Sequence, residues 1–222
     1  TRKLDIAIVI DTSGSIISER ASIAQGFDFF ISQLPEEVDY RIAVILAHGD
    51  NTGRSGVLYK KGSEPRVLSS DIHTVSEIKS HLVTKMQNPH TDNETDGGEL
   101  GLYSFLKATQ GEQLITNQSY DFFRPDAALT VVFVADEQDI CAEFPTGVIP
   151  VIDPQGKEDS ALLKYCKDND GNFIITPQMI VDRVKEIQED SPYVIGGVLY
   201  KSELTTPMTG ENEIGYGYIE IG

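Results

Sequence analysis

Residues 4–15 read LDIAIVIDTSGS, and the change of character inside this stretch decides the fold. Leu4 to Ile10 is almost continuously apolar, which reads as a strand buried on both faces, as in a parallel sheet sandwiched between helices. It passes without a break into Asp11-Thr12-Ser13-Gly14-Ser15, a turn of small oxygen-bearing side chains. In open α/β sheets, sites form in the crevice beyond the carboxyl ends of the strands. The turn stands at such an end.

Outward from it, the pattern repeats. Ser18 to Leu34 carries Ile23, Phe27, Ile31 and Leu34 at helical spacing and is stopped by Pro35. Arg41 to Ala47 is a second buried strand, and Ala128 to Ala135 (ALTVVFVA) a third. Tyr193 to Tyr200 reads as a last core strand. Between them, Thr74 and Glu77 form a capping-box pattern for a helix bearing Ile78, Leu82 and Met86. Further helices are expected around Leu102, Phe105 and Leu106, over 159–167, and over 177–189 with Thr176 as cap and Pro177 in its first turn. The stretch 48–70 is irregular, with strand candidates at 57–59 and 66–68 that suggest an edge hairpin. Strands alternating with helices predict a three-layer Rossmann-like α/β domain over 1–222, with a mainly parallel sheet and one antiparallel edge strand.

The charge balance narrows the function. Asp and Glu number 35 against 18 Lys and Arg, a net charge of −17 in 222 residues. Such a surface repels nucleic acids and anionic membranes and attracts cations, although acidity also serves solubility alone. No apolar run is long enough to span a bilayer, so direct membrane insertion is not expected. Any signal peptide or lipid anchor is expected to have been removed or to lie outside this sequence.

Three segments of the alternating sheet point to one edge: the turn after the first strand, the loop holding Thr95, and Asp136 after the third strand. Hydroxyls and carboxylates converging there suit a hard cation. Mg²⁺ held by Ser13, Ser15 and Thr95, with Asp11 and Asp136 direct or through water, keeps an exchangeable position; Mn²⁺ and Ca²⁺ are alternatives. The competing reading of DTSGS is a helix-capping turn. Thr91 competes with Thr95, the Asp-Gly-Gly-Glu-Leu run after Thr95 favouring the latter.

Asp11, Ser13 and Ser15 form a D-x-S-x-S motif at the end of the first strand. With Thr95 and Asp136 in order behind it, the chain resembles the von Willebrand factor A and integrin I-domain family and its metal-ion-dependent adhesion site. That resemblance implies a non-enzymatic binding domain in which an Asp or Glu of a partner protein completes the metal's shell. A glycan or a matrix component is a further partner class. Arg124-Pro125-Asp126-Ala127 before the third strand, and Asp136-Glu137-Gln138-Asp139 after it, resemble bacterial secreted or lipoprotein members. This implies a secreted, periplasmic or cell-surface location. Two departures stand out: Ala135-Asp136-Glu137 replaces the usual Thr-Asp-Gly, and no helix is evident after the last strand, where 204–222 is Gly-rich and strand-like.

Several residues keep two readings. Glu137 and Asp139 suit an adjoining Ca²⁺ site, tuning of the first metal, or a solvated loop, and His48 borders the site or lies on its rim. Asp168-Asn169-Asp170-Gly171 fails calcium-loop spacing and reads as a turn. Cys141 and Cys166 are either a disulfide, which the implied secretion favours, or two buried thiols. The enzymatic competitor is a Mg²⁺-dependent phosphatase of the haloacid dehalogenase type. It needs a second Asp two residues after the nucleophile, where this chain has Ser13. An intracellular partner of an ATP-driven remodelling complex is the remaining alternative.

Overall fold

The computed structural model describes residues 2–90, 98–149, 151–152, 157–200 and 214–221. Its centre is a five-stranded sheet in the order β3-β2-β1-β4-β5. The strands are β1 (Arg2–Ile10), β2 (Val38–Leu46), β3 (Val67–Ser69), β4 (Ala128–Val134) and β5 (Tyr193–Val198). β1 pairs in parallel with β2 and with β4, β4 pairs in parallel with β5, and only β3 is antiparallel. The expected architecture, with its single antiparallel edge strand, is the one observed.

Apolar residues on both faces of β1 explain the three layers. Ile6, Ile8 and Ile10 join Ile42, Val44 and Leu46 under α1 (Arg20–Ser32) and α2 (Val75–Gln87). Ala7 and Val9 join Ala43, Ile45, Val131 and Phe133 on the other face. There α3 (Gly101–Ala108) and α6 (Pro177–Gln188) supply Leu102, Phe105, Ile180 and Val184. α4 (Gly111–Ser119), which the sequence pattern did not reveal, follows α3 after two residues; only Asn117 of its side chains is buried, so it lacks an apolar stripe. α5 (Glu158–Ala161) continues as a π turn over Leu162–Cys166. The capping box forms at Thr74 and Glu77, and Thr176 accepts from the Met179 N–H at 3.3 Å.

Three expectations need correction. Residues 57–59 and 66–68 do not pair as a hairpin. Leu58 bridges Ile45 while Val67 pairs with Ala43, so both segments lie one after the other along the same edge of β2. β5 is not a core strand but an edge strand, with Val194 and Val198 exposed. Its apolar run looked central because hydrophobicity alone does not reveal whether a neighbour covers it. The strand-like end also fails: within 214–221 the chain forms turns and a 3₁₀ turn at Ile219–Ile221. Residues 201–213 lie outside the described residues.

Lys85 shares the buried face of α2 with Ile78, Leu82 and Met86 and is itself fully buried. Its Nζ donates to the Tyr59 carbonyl at 2.7 Å, and burial pushes its pKa down to about 8. The unfolded chain holds that proton to near 10.5, so between these values the unfolded state binds more protons and stability rises with pH. Urea unfolding should show a gain of about 1–2 kcal/mol from pH 8 to 9.5, with one pKa unit equal to about 1.4 kcal/mol. The gain should vanish in Lys85→Met. A flat profile in the parent would refute it.

Candidate metal centre

β1 lies between β2 and β4, so the strand order reverses there and a crevice opens beyond their carboxyl ends. The Asp11–Ser15 turn occupies it. The Asp11 N–H donates to Val134 O at 2.8 Å, continuing the β1–β4 ladder one residue past the strand. The Thr12 N–H donates to Gly98 O at 3.1 Å, and the Leu100 N–H to Ala47 O at 3.0 Å, which holds the segment before α3 against the turn. Gly98 has φ +91°, and a Cβ there would lie 2.6 Å from Thr12 Oγ1, so only glycine fits this approach.

Within the turn, the Ser13 N–H donates to Asp11 Oδ1 at 2.6 Å, and the Ser13 and Ser15 hydroxyls meet at 2.8 Å. Neither hydroxyl caps a helix: the 3₁₀ turn at Ser15–Ser18 and α1 both begin without a side-chain cap. Asp136, next to the end of β4, completes the group. Asp11 and Asp136 are each about 2% exposed, yet Asp11 Oδ2 and both oxygens of Asp136 accept no well-formed hydrogen bond from any described residue. Thr95, the remaining expected ligand, lies outside the described residues, as does its competitor Thr91.

The electrostatics follow from this burial. Desolvation raises the Asp11 pKa to about 7, with the Ser13 hydrogen bonds opposing it and the Glu137 charge adding to it. Desolvation and then the Asp11 charge raise Asp136 to about 8, with the nearby Ser15 hydroxyl opposing the rise. Arg20, which sequence reasoning passed over, lies near both carboxylates, whose charges oppose the lowering of its pKa by burial. Its Nη2 donates to Ser13 O at 2.9 Å, which holds the turn. Asp136 also lines a groove of about 300 Å³ between the segment leading into α1 (Ile16, Glu19, Ile23) and the end of β5 with the residues after it (Val198, Tyr200).

The neighbouring candidates have other duties. Asp139 is fully buried; its Oδ2 accepts from the Leu102 N–H at 2.7 Å and its Oδ1 from the Cys141 N–H at 2.8 Å. It caps the amino end of α3 from another segment, a favourable place for a carboxylate. Burial lifts its pKa to about 6, while the Leu102 and Cys141 bonds oppose the rise. His48 is buried too, with Nε2 2.9 Å from Thr12 Oγ1 and Nδ1 3.1 Å from Thr52 Oγ1, so it braces the turn against the 48–52 loop. Asp168 accepts from the Asp170 and Asn172 N–H groups, the expected turn. Cys141 and Cys166 are disulfide-bonded, tying the loop after Asp136 to the end of the π turn.

Glu137 stands instead with Glu99 and Glu158, ligand oxygens of all three lying within 4.8 Å of one another. Desolvation, and then the charges of Asp11, Glu137 and Glu158, raise Glu99 well above the ordinary carboxylate range. Protons or a cation neutralise such a group. No spacing signals it, because its members come from three connections 38 and 21 residues apart.

No family model matches the chain, and no curated protein matches it. Among solved structures, the pilus adhesin SpaC of Lactobacillus rhamnosus GG in its open conformation aligns at TM-score 0.39 and 13% identity, covering 89% of this chain and 24% of that one. The pilus adhesin RrgA of Streptococcus pneumoniae aligns at 0.34 and 11%, covering 68% and 22%. The adhesive tip pilin GBS104 of Group B Streptococcus agalactiae aligns at 0.34 and 14%, covering 78% and 57%. The chain therefore spans about a quarter of the length of the first two and just over half of the third.

Proposed function

We propose that this chain is a von Willebrand A-type binding domain in which Asp11, Ser13, Ser15 and Asp136, with Thr95, hold a divalent cation that receives a carboxylate from a partner protein. One observation carries the reading: three buried carboxylate oxygens at the switch point of the sheet, Asp11 Oδ2 and both of Asp136, accept no well-formed hydrogen bond from any described residue. Each unsatisfied buried polar group costs about 1–3 kcal/mol, more when charged. A cation removes that cost, and the two hydroxyls 2.8 Å apart are the neutral oxygens a hard metal accepts beside them.

Mg²⁺ supplies Lewis acidity and an exchangeable position, since it retains water readily. The chain's own groups do the rest. Asp11 is fixed by the Ser13 N–H, Arg20 restrains the turn through Ser13 O, and His48 buttresses Thr12. The groove beside Asp136 is the approach for a partner's side chain.

The role proposed is adhesion or ligand binding, not catalysis. A phosphatase of the haloacid dehalogenase type would need a carboxylate at position 13, and that side chain is the serine hydrogen-bonded to Ser15. The disulfide belongs to an oxidising compartment, which favours a secreted, periplasmic or cell-surface protein over an intracellular remodelling partner. Among the described residues no helix is long and apolar enough to cross a membrane.

Calorimetric titration with Mg²⁺, Mn²⁺ and Ca²⁺ tests the reading. Saturable one-to-one binding is expected in the parent, weakened about tenfold in Ser13→Ala, which removes one neutral ligand. A parent that binds none of the three overturns it.

A further inference from the structure

The stretch from Arg41 to Arg66 reverses the charge of the molecule. It holds five of the 18 Lys and Arg residues and only two acids, Asp50 and Glu64, in a chain of net charge −17. Two cavities open along it. The larger, of about 500 Å³, shares Lys60 and Arg66 with the smaller and has acids in its walls: Arg41 pairs there with Asp71 and Asp121, and Glu64 with His81. The smaller, of about 290 Å³, is different. Arg54, Lys60 and Arg66 line it with Leu46, Thr52 and Val57, and no carboxylate is among its walls.

Its cations are aimed but unspent. Arg54 Nη1 donates to Thr52 O at 3.2 Å and Arg66 Nη1 to Leu58 O at 2.6 Å, and the Arg66 guanidinium lies 5.3 Å from the centre of the Tyr120 ring. Each guanidinium is thus oriented by one backbone carbonyl, with other N–H groups left over, the fork that binds carboxylates in bidentate fashion. Lys60 is exposed and forms no hydrogen bond or ion pair with any described residue. Leu46 and Val57 add an apolar wall suited to the methylene stem of a glutamate.

A chain of hydrogen bonds connects the cavity to the Asp11 turn. Leu46 ends β2 at the same edge of the sheet, and Thr52 of the cavity wall is linked to Thr12, the residue after Asp11, through the two ring nitrogens of His48. We propose that the Arg54–Lys60–Arg66 cavity is a second anchor for the partner, taking an Asp or Glu side chain, so that the segment recognised is acidic on both sides of this link. The cavity's own anion affinity is independent of the metal; only the pairing of the two anchors rests on the reading under Proposed function.

The test uses the whole chain and a fluorescent six-residue peptide of alternating Glu and Gly, followed by anisotropy in EDTA and then in Mg²⁺. In EDTA the parent should bind, and Lys60→Glu and Arg54→Glu should each weaken binding about tenfold or more. Lys185→Glu, which adds the same charge on α6, should bind as the parent does. Mg²⁺ should tighten the parent and not Asp136→Asn. Equal weakening by Lys60→Glu and Lys185→Glu, or no binding in EDTA, overturns the cavity. Tighter binding of a sulfated oligosaccharide of equal charge, lost in the same two variants, overturns its assignment to an acidic peptide. Binding in EDTA that is sensitive to Lys60→Glu but indifferent to Mg²⁺ supports the cavity and counts against the metal reading alone.

Discussion

Asp136→Asn is expected to abolish metal binding and, in the same protein, to raise the stability of the metal-free form. Both oxygens of Asp136 are buried without a well-formed hydrogen bond from any described residue, beside a second buried carboxylate, Asp11, that has one such oxygen. In the metal-free protein desolvation and mutual repulsion outweigh what opposes them, the Ser13 bonds and the Arg20 charge at Asp11 and the Ser15 hydroxyl at Asp136. Removing one charge relieves about 1–3 kcal/mol, which for a domain of this size raises the melting temperature by about 2–4 °C per kcal/mol. The same change deletes an anionic ligand, so Mg²⁺ affinity should fall by at least about a hundredfold. Calorimetry and thermal melts in EDTA and in Mg²⁺ read both effects. Lower stability in EDTA would make Asp136 a structural carboxylate, and unchanged Mg²⁺ binding would remove it from the site.

The second large effect lies at the opposite end of the sheet. Arg124 is 7% exposed and clamps the amino ends of the two central strands. Its Nε donates to Asp5 Oδ1 at 2.9 Å, its backbone N–H to Asp5 Oδ2 at 2.8 Å, and its Nη1 to Asp39 Oδ2 at 2.6 Å. Asp5 is 1% exposed; desolvation raises its pKa, and the bonds from Arg124 oppose that rise. Arg124→Ala leaves this carboxylate buried with only a backbone donor. The expected loss is about 3–5 kcal/mol, the usual cost of breaking a buried pair from one side. Urea unfolding should show it as a lower midpoint with unchanged slope, while Mg²⁺ affinity in the folded protein stays at the parent value. The double variant with Asp5→Asn should lose less than Arg124→Ala alone, because the uncompensated charge is gone. A loss under about 1 kcal/mol in the single variant would show that water reaches Asp5. The Arg-Pro-Asp-Ala run that drew notice in the sequence thus acts in stability, remote from the proposed ligands.

Much of the fold was legible because each layer has its own period. The apolar runs of β1, β2 and β4 announced a sheet covered on both faces, and Thr74, Glu77, Thr176 and Pro177 announced helix starts through contacts only a few residues long. Asp11, Ser13 and Ser15 could be read as one unit because a single turn carries all three, and Asp136 because it follows a buried strand parallel to theirs. Assignments that depended on distant neighbours went astray. Asp139 read as a solvated loop residue or a secondary ligand but is buried and caps α3, and His48 read as rim but is a fully buried brace.

By itself, the sequence determined the α/β class, the parallel core and the segments that meet at one sheet edge, since these rest on hydrophobic period and strand direction. Tertiary structure alone decided which polar atoms meet. Among the described residues it left Asp11 Oδ2 and both oxygens of Asp136 without a well-formed hydrogen bond, gathered Glu99, Glu137 and Glu158, and kept acids out of the walls of the Arg54–Lys60–Arg66 cavity. Those outcomes depend on how separate connections cross above the sheet, and no local spacing along the chain encodes a distance between loops.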